Sequence, residues 1–150
     1  MGAVLTEHPE LPQAVVSLAG IYDSLRTELE PNGAFNVTEF GSVKDLEQFR
    51  KLYAYSPYHR VREGTKYPAI LFLTGENDGR VAPFNSRKMT ASLQAANTSQ
   101  NPILLRTSAN SGHGHGTALR ARLQPQSAPL PFPFDQPGLN PQTPAHPPPY

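Results

Sequence analysis

Apolar residues in this chain gather into three short, nearly uninterrupted runs. They are AVVSLAG (14–20), YPAILFLTG (67–75) and PILLRTS (102–108), each rich in β-formers and bounded by proline or glycine. Continuous rather than alternating apolar runs of this length read as strands covered on both faces by helices. Between the second and third runs, residues 84–97 (FNSRKMTASLQAAN) place Phe84, Met89, Leu93 and Ala96 at near-helical spacing among good helix formers. Strand, helix and strand in that order predict a parallel pair joined by a crossover. A second helix is expected over 43–55 (VKDLEQFRKLYAY), ended by Ser56 and Pro57. The alternation argues α/β architecture.

The pattern stops at Gln124. Ten of the twenty-six residues 125–150 are proline, and Asp135 is the only formally charged side chain among them. Such a stretch favours extended, polyproline-like structure and cannot close a core, so it is expected to be disordered. The organisation expected is one globular unit over 1–123 and a Pro-rich tail over 124–150, without internal repeats.

Charge and composition exclude more than they select. The net charge is +1 with acids and bases interspersed, which provides no basic face for nucleic acid. The absence of cysteine removes disulfides, thiol nucleophiles and thiolate metal sites. No apolar run approaches the roughly 20 residues of a membrane span, and MGAVLTEHPE has neither part of a secretory signal. A cytoplasmic protein is the simplest expectation, with periplasmic or secreted locations left open.

Candidate chemistry sits just past two of the runs. After Leu73 come Glu76, Asn77, Asp78 and Arg80; after Thr107 comes SANSGHGHGTAL, with His113 and His115 among glycines. Functional groups of parallel sheets collect at the carboxyl ends of strands. A carboxylate followed by a histidine, each after its own strand, is the chain order of the acid and base in α/β-hydrolase triads. An imidazole acting as general base needs a carboxylate on its other nitrogen to hold the tautomer and stabilise the imidazolium. Simpler readings remain for these residues. Asp78 in NDG can be a turn former, Arg80 a surface arginine, Glu76 a solvated loop acid and His115 a solvated loop histidine. Two histidines without a third ligand fall short of a zinc shell, so no metal or cofactor is expected.

The segments YAYSPYHRV, YPAILFLTGENDGRVAPFNSRKMTASLQAA and NPILLRTSANSGHGHGTAL resemble the catalytic domain of the prolyl oligopeptidase family of serine peptidases. The similarity runs from Met1 to about Leu123. It implies the C-terminal part of an α/β-hydrolase sheet with flanking helices, and peptide-bond hydrolysis as the activity. It further implies Asp78 as triad acid, His113 as base and Arg80 as the group that binds a substrate carbonyl. The family's aromatic specificity pocket corresponds to GAFNVTEFG, where Phe40 supplies one aromatic and Asn36 stands where a tryptophan is often found.

A triad also needs a serine in G-x-S-x-G, and none is present: Ser17, Ser42, Ser86 and Ser111 all lie in other settings. By the resemblance, Met1 falls within the helix that follows the nucleophile. The nucleophile, the oxyanion-hole amides, the first strands and the family's propeller are thus expected to be missing. The tail carries prolines where the family has a closing helix, with FDQ a faint echo of it. The expectation is a peptidase fragment, inactive alone, whose peptide substrate requires the missing N-terminal half. A second reading is a non-catalytic interaction protein whose terminal PPPY docks a WW-type module. A third is a truncated product without function, prone to associate through open strand edges.

Overall fold

The computed structural model describes residues 1–109, 111–113 and 132. Helix α1 (Gly2–Glu7) leads to strand β1 (Ala14–Leu18), followed by helices α2 (Gly33–Phe40) and α3 (Leu46–Tyr55). Strand β2 (Ala69–Gly75), helix α4 (Phe84–Ala96) and strand β3 (Ile103–Ser108) complete the order, with single 3₁₀ turns at Thr27–Leu29 and Pro57–Arg60. The three strands lie side by side as β1-β2-β3, both pairs parallel. Ala14 stands opposite Ala69, Ile70 opposite Ile103 and Gly75 opposite Ser108.

The expected mixed α/β architecture is the one observed. Strand β2 is buried at every position because it has a neighbour on each side and cover on each face. Successive side chains of a strand point to opposite faces. Ile70 and Phe72 therefore join Leu5, Val15, Tyr22, Tyr67, Met89, Leu93, Ala96 and Ile103 on one face. Ala69, Leu71 and Leu73 meet Phe132 on the other, with Ala14 and Val16 beside them. Phe132 belongs to the stretch read as the tail, and only 8% of it is exposed. The rest of that stretch, including PPPY, lies outside the described residues, as does His115. Strand β3 differs from a run covered on both faces: only Ile103 is fully buried and Leu104 is exposed, since β3 has β2 alone as a described partner.

Helix α4 forms where the spacing predicts it. Met89, Leu93 and Ala96 are its buried stripe, and Asn97 ends it in extended backbone. Helix α3 starts at Leu46, with Asp45 as its N-cap accepting the Gln48 N–H at 2.8 Å. The loop after β1 is locked by an edge-to-face contact between Tyr22 and Phe72, ring centres 5.3 Å apart. The Tyr22 and Ser17 hydroxyls bond at 2.5 Å.

Candidate active site

The carboxyl ends of β2 and β3 are neighbours because Gly75 and Ser108 are paired. Three residues beyond Gly75 the chain reaches Asp78, and five beyond Ser108 it reaches His113. The two loops are stitched together by backbone bonds: the Glu76 N–H donates to Ser108 O (2.9 Å) and the Asn77 N–H to Ser111 O (3.1 Å). Gly75 is the floor of this contact. A Cβ there would stand 2.5 Å from the Ser111 carbonyl oxygen and 2.6 Å from that of Gly112, so only glycine admits the histidine loop.

Asp78 is 5% exposed. Its Oδ1 accepts the backbone N–H groups of Arg80 and Val81, both at 2.9 Å, and its Oδ2 lies 2.8 Å from Nδ1 of His113. Burial is the largest single influence on its carboxyl and opposes ionisation. The bonds from Val81, His113 and Arg80 together outweigh it and hold the group below the ordinary carboxylate value. An ionised carboxylate only accepts, so Nδ1 carries a proton, and in the neutral ring Nε2 is then left with its lone pair. That is the tautomer a general base requires.

Arg80 donates its backbone N–H to this turn, while its side chain is exposed and forms no ion pair among the described residues. Glu76 is exposed and pairs with Arg87. Phe40 is not gathered into the cluster. It sits at the last position of α2, about 12 Å along the helix from Asn32, whose side-chain amide donates to Gly79 O at 3.3 Å. There, 49% exposed, it lines a cavity of about 270 Å³ with Ile21, Asn36, Val37, Leu52 and Tyr55. None of Asp78, Arg80 or His113 lines that cavity.

A second serine, histidine and aspartate meet elsewhere, at Ser56, His59 and Asp23, a juxtaposition the sequence pattern did not single out. Both partners approach the same ring nitrogen of His59, Ser56 Oγ at 2.9 Å and Asp23 Oδ1 at 3.9 Å. No proton can then pass from hydroxyl to carboxylate through the ring. Ser56 is fully buried and accepts the Ser24 N–H at 3.1 Å, and Asp23 is held by Arg26 and Lys88. This cluster braces the loop after β1. Glu30 and Asn85 also escaped sequence reasoning, although Asn85 gave a signal: it is a polar residue four positions before Met89 on the buried stripe of α4.

Among the described residues no three His, Cys, Asp or Glu side chains converge as a metal site, and no helix is long and apolar enough to cross a membrane. Residues 1–128 match the sequence profile of the prolyl oligopeptidase family. The chain belongs to the prolyl oligopeptidase family. Among its relatives, the prolyl endopeptidase of Elizabethkingia miricola is 38% identical over 114 residues, covering 75% of this chain and 16% of the relative. That of Dictyostelium discoideum is 35% identical over 116 residues, covering 75% and 15%. The chain thus spans about a sixth of the length of these family members. A solved prolyl endopeptidase superimposes with a TM-score of 0.84 at 36% identity, over 89% of this chain and 20% of the other. Oligopeptidase B from Leishmania major does so with 0.81 at 28% identity, over 89% and 19%.

Proposed function

We propose that these 150 residues carry the acid and base of a serine-peptidase triad, and that the nucleophilic serine is supplied from outside them. The observation that carries this reading is the Asp78–His113 hydrogen bond at 2.8 Å, made from two adjacent strand ends with the carboxylate buried. In this reading Nε2 of His113 accepts the proton of a serine hydroxyl as it attacks the scissile carbonyl. The base then returns the proton to the departing amine. Asp78 fixes the tautomer and stabilises the imidazolium. Arg80, exposed beside the acid, binds a substrate carbonyl oxygen, and the cavity beneath Phe40 receives a substrate side chain. Asn36 lines that cavity at the position where the resemblance sets a tryptophan, so a preference for proline is not implied. With no G-x-S-x-G in these residues, the 150-residue chain by itself hydrolyses nothing.

The test grafts residues 1–128 in place of the matching stretch of the Elizabethkingia miricola prolyl endopeptidase and follows cleavage of a panel of chromogenic peptides. Hydrolysis is expected, falling about 10⁶-fold in His113→Ala and about 10⁴-fold in Asp78→Ala. A folded chimera that cleaves nothing, or one indifferent to both substitutions, refutes the assignment.

A further inference from the structure

Glu30 is a buried acid, 5% exposed, with no ion pair among the described residues. Both of its oxygens are nevertheless engaged. Oε2 accepts the Ala82 N–H at 2.9 Å, and Oε1 accepts the side-chain amide of Asn85 at 2.8 Å. Asn85, 1% exposed, turns its carbonyl oxygen the other way and takes the N–H groups of Tyr22 (3.0 Å) and Asp23 (3.1 Å). The turn that presents Asp78 is therefore held on both sides. On the inside Asp78 Oδ1 grips Arg80 and Val81, and on the outside Glu30 grips Ala82, the next residue along.

We propose that Glu30 and Asn85 are positioning residues for the acid–base pair: a clamp that ties the Asp78 turn to the loop after β1. This rests on the reading of Asp78 and His113 as triad acid and base. The clamp acts through over-determination. If the turn shifts, the half-buried Ala82 N–H loses its partner and a buried Glu30 oxygen is left unpaired. An unmade buried hydrogen bond to an acid costs enough to favour the closed turn roughly 10- to 100-fold. Without the clamp the far side of the turn is held only by the Asx turn and the exposed Asn32 bond to Gly79 O, and the carboxylate gains freedom relative to the ring it must orient.

The test uses the full 150-residue chain. Amide hydrogen exchange is measured at Arg80, Val81 and Ala82, and the His113 Nδ1 proton is followed by NMR, in wild type, Glu30→Ala, Asn85→Ala and Glu30→Gln. Glu30→Ala and Asn85→Ala are expected to speed exchange at Val81 and Ala82 by roughly 10- to 100-fold and to weaken the Nδ1 proton signal. The Phe72 amide in β2 should be unchanged. Glu30→Gln keeps an oxygen for Ala82 and should restore most of the protection. If the alanine variants do not fold, Glu30→Met, which fills the space without an acceptor, carries the test, with the same roughly 10- to 100-fold acceleration expected at Ala82. Unchanged exchange at Val81 and Ala82 in the variants that lack the acceptor overturns the proposal. So does acceleration that is equal at Phe72, because that is the mark of a merely structural residue. Failure of the underlying triad reading looks different: the Nδ1 proton signal then survives Asp78→Ala, whatever Glu30 does.

Discussion

Replacing Gly75 with alanine is the sharpest test of how the two loops are brought together. The backbone at Gly75 lies outside the left-handed region, so alanine can adopt it without conformational strain. The whole penalty is therefore steric. The added Cβ would lie 2.5 Å from Ser111 O, 2.6 Å from Gly112 O and 3.0 Å from the Ser111 carbonyl carbon. Ordinary carbon–oxygen contacts begin near 3.3 Å, so the histidine loop must retreat by roughly 0.7–0.8 Å. All three atoms are backbone, and no rotamer change can clear them. Gly75 itself cannot move away, because it is paired with Ser108 and the Glu76 N–H is bonded to Ser108 O.

Overpacking of this kind costs about 1–3 kcal/mol. A retreat of that size also stretches the 2.8 Å Asp78–His113 bond to roughly 3.6 Å, beyond hydrogen-bond range. Urea unfolding reads the stability change and the His113 Nδ1 proton in NMR reads the bond. In the active chimera a displacement near 1 Å should lower kcat about 100-fold. Gly79→Ala is the control. It lies in the same turn, has ordinary φ, and its added Cβ would meet nothing within 4 Å, so its stability should stay within about 0.5 kcal/mol of wild type. The steric reasoning fails if Gly75→Ala is as stable as Gly79→Ala and keeps its Nδ1 proton signal.

Two further outcomes follow from the same structure. Ala19, at the carboxyl end of β1, holds a φ of 45°, a conformation that costs an alanine about 1 kcal/mol and a glycine almost nothing. Ala19→Gly should therefore leave stability unchanged or raise it slightly in urea unfolding, whereas Ala19→Val should lower it by more than 1 kcal/mol. Acid should lower the chain's stability over two separate pH ranges. Burial is the main cause holding His59 below 6.5, partly offset by Asp23, so the unfolded chain takes that proton first. The stability His59 contributes is complete above pH 6.5 and is lost as pH falls through its folded value. Asp23 and Asp78 lie below 3.8 when folded, their hydrogen bonds and cations outweighing burial. Their contribution is complete above that value and is lost as pH falls through the lower folded values. Urea midpoints measured from pH 8 to pH 3 should show both losses, and His59→Gln should remove the upper one alone.

The sheet was legible because its signals are local. Strand β2 announces itself by seven consecutive buried positions between Pro68 and the Glu76 turn. Strand β3 was found by the same cue, but its exposed Leu104 shows that an apolar run does not by itself tell a central strand from an outer one. Helix α2 could not be found that way. Its residues GAFNVTEF are mostly poor helix formers, and the segment is held in place from outside. Gly33 packs so tightly on the Glu28 carbonyl that a Cβ would come within 2.1 Å of its oxygen, and Glu28 in turn is bonded to the Ser42 hydroxyl at 2.7 Å. Tertiary contacts of this sort leave no periodic trace.

The candidate site divides along the same line. Asp78 and His113 each follow a recognisable strand by a few residues, and two parallel neighbours carry their carboxyl-end loops to the same edge. Knowing the strands were adjacent was then nearly enough to place acid beside base. Glu30 and Asn85 are separated by 55 positions, and their meeting depends on where the loop after β1 falls across the start of α4. No spacing rule reaches that far. The parts differ in what substitution can do to them. On the proposed reading the acid and base have chemical roles that a replacement would remove, whereas the Gly75 floor sets how closely the two loops approach and the proposed clamp sets how the Asp78 turn sits on the loop after β1. Because Gly75 and Ser108 are paired, the approach is governed by loop lengths of three and five residues counted from that pair. One residue added to either loop would move Asp78 or His113 by up to about 3.5 Å, more than the whole length of the bond between them.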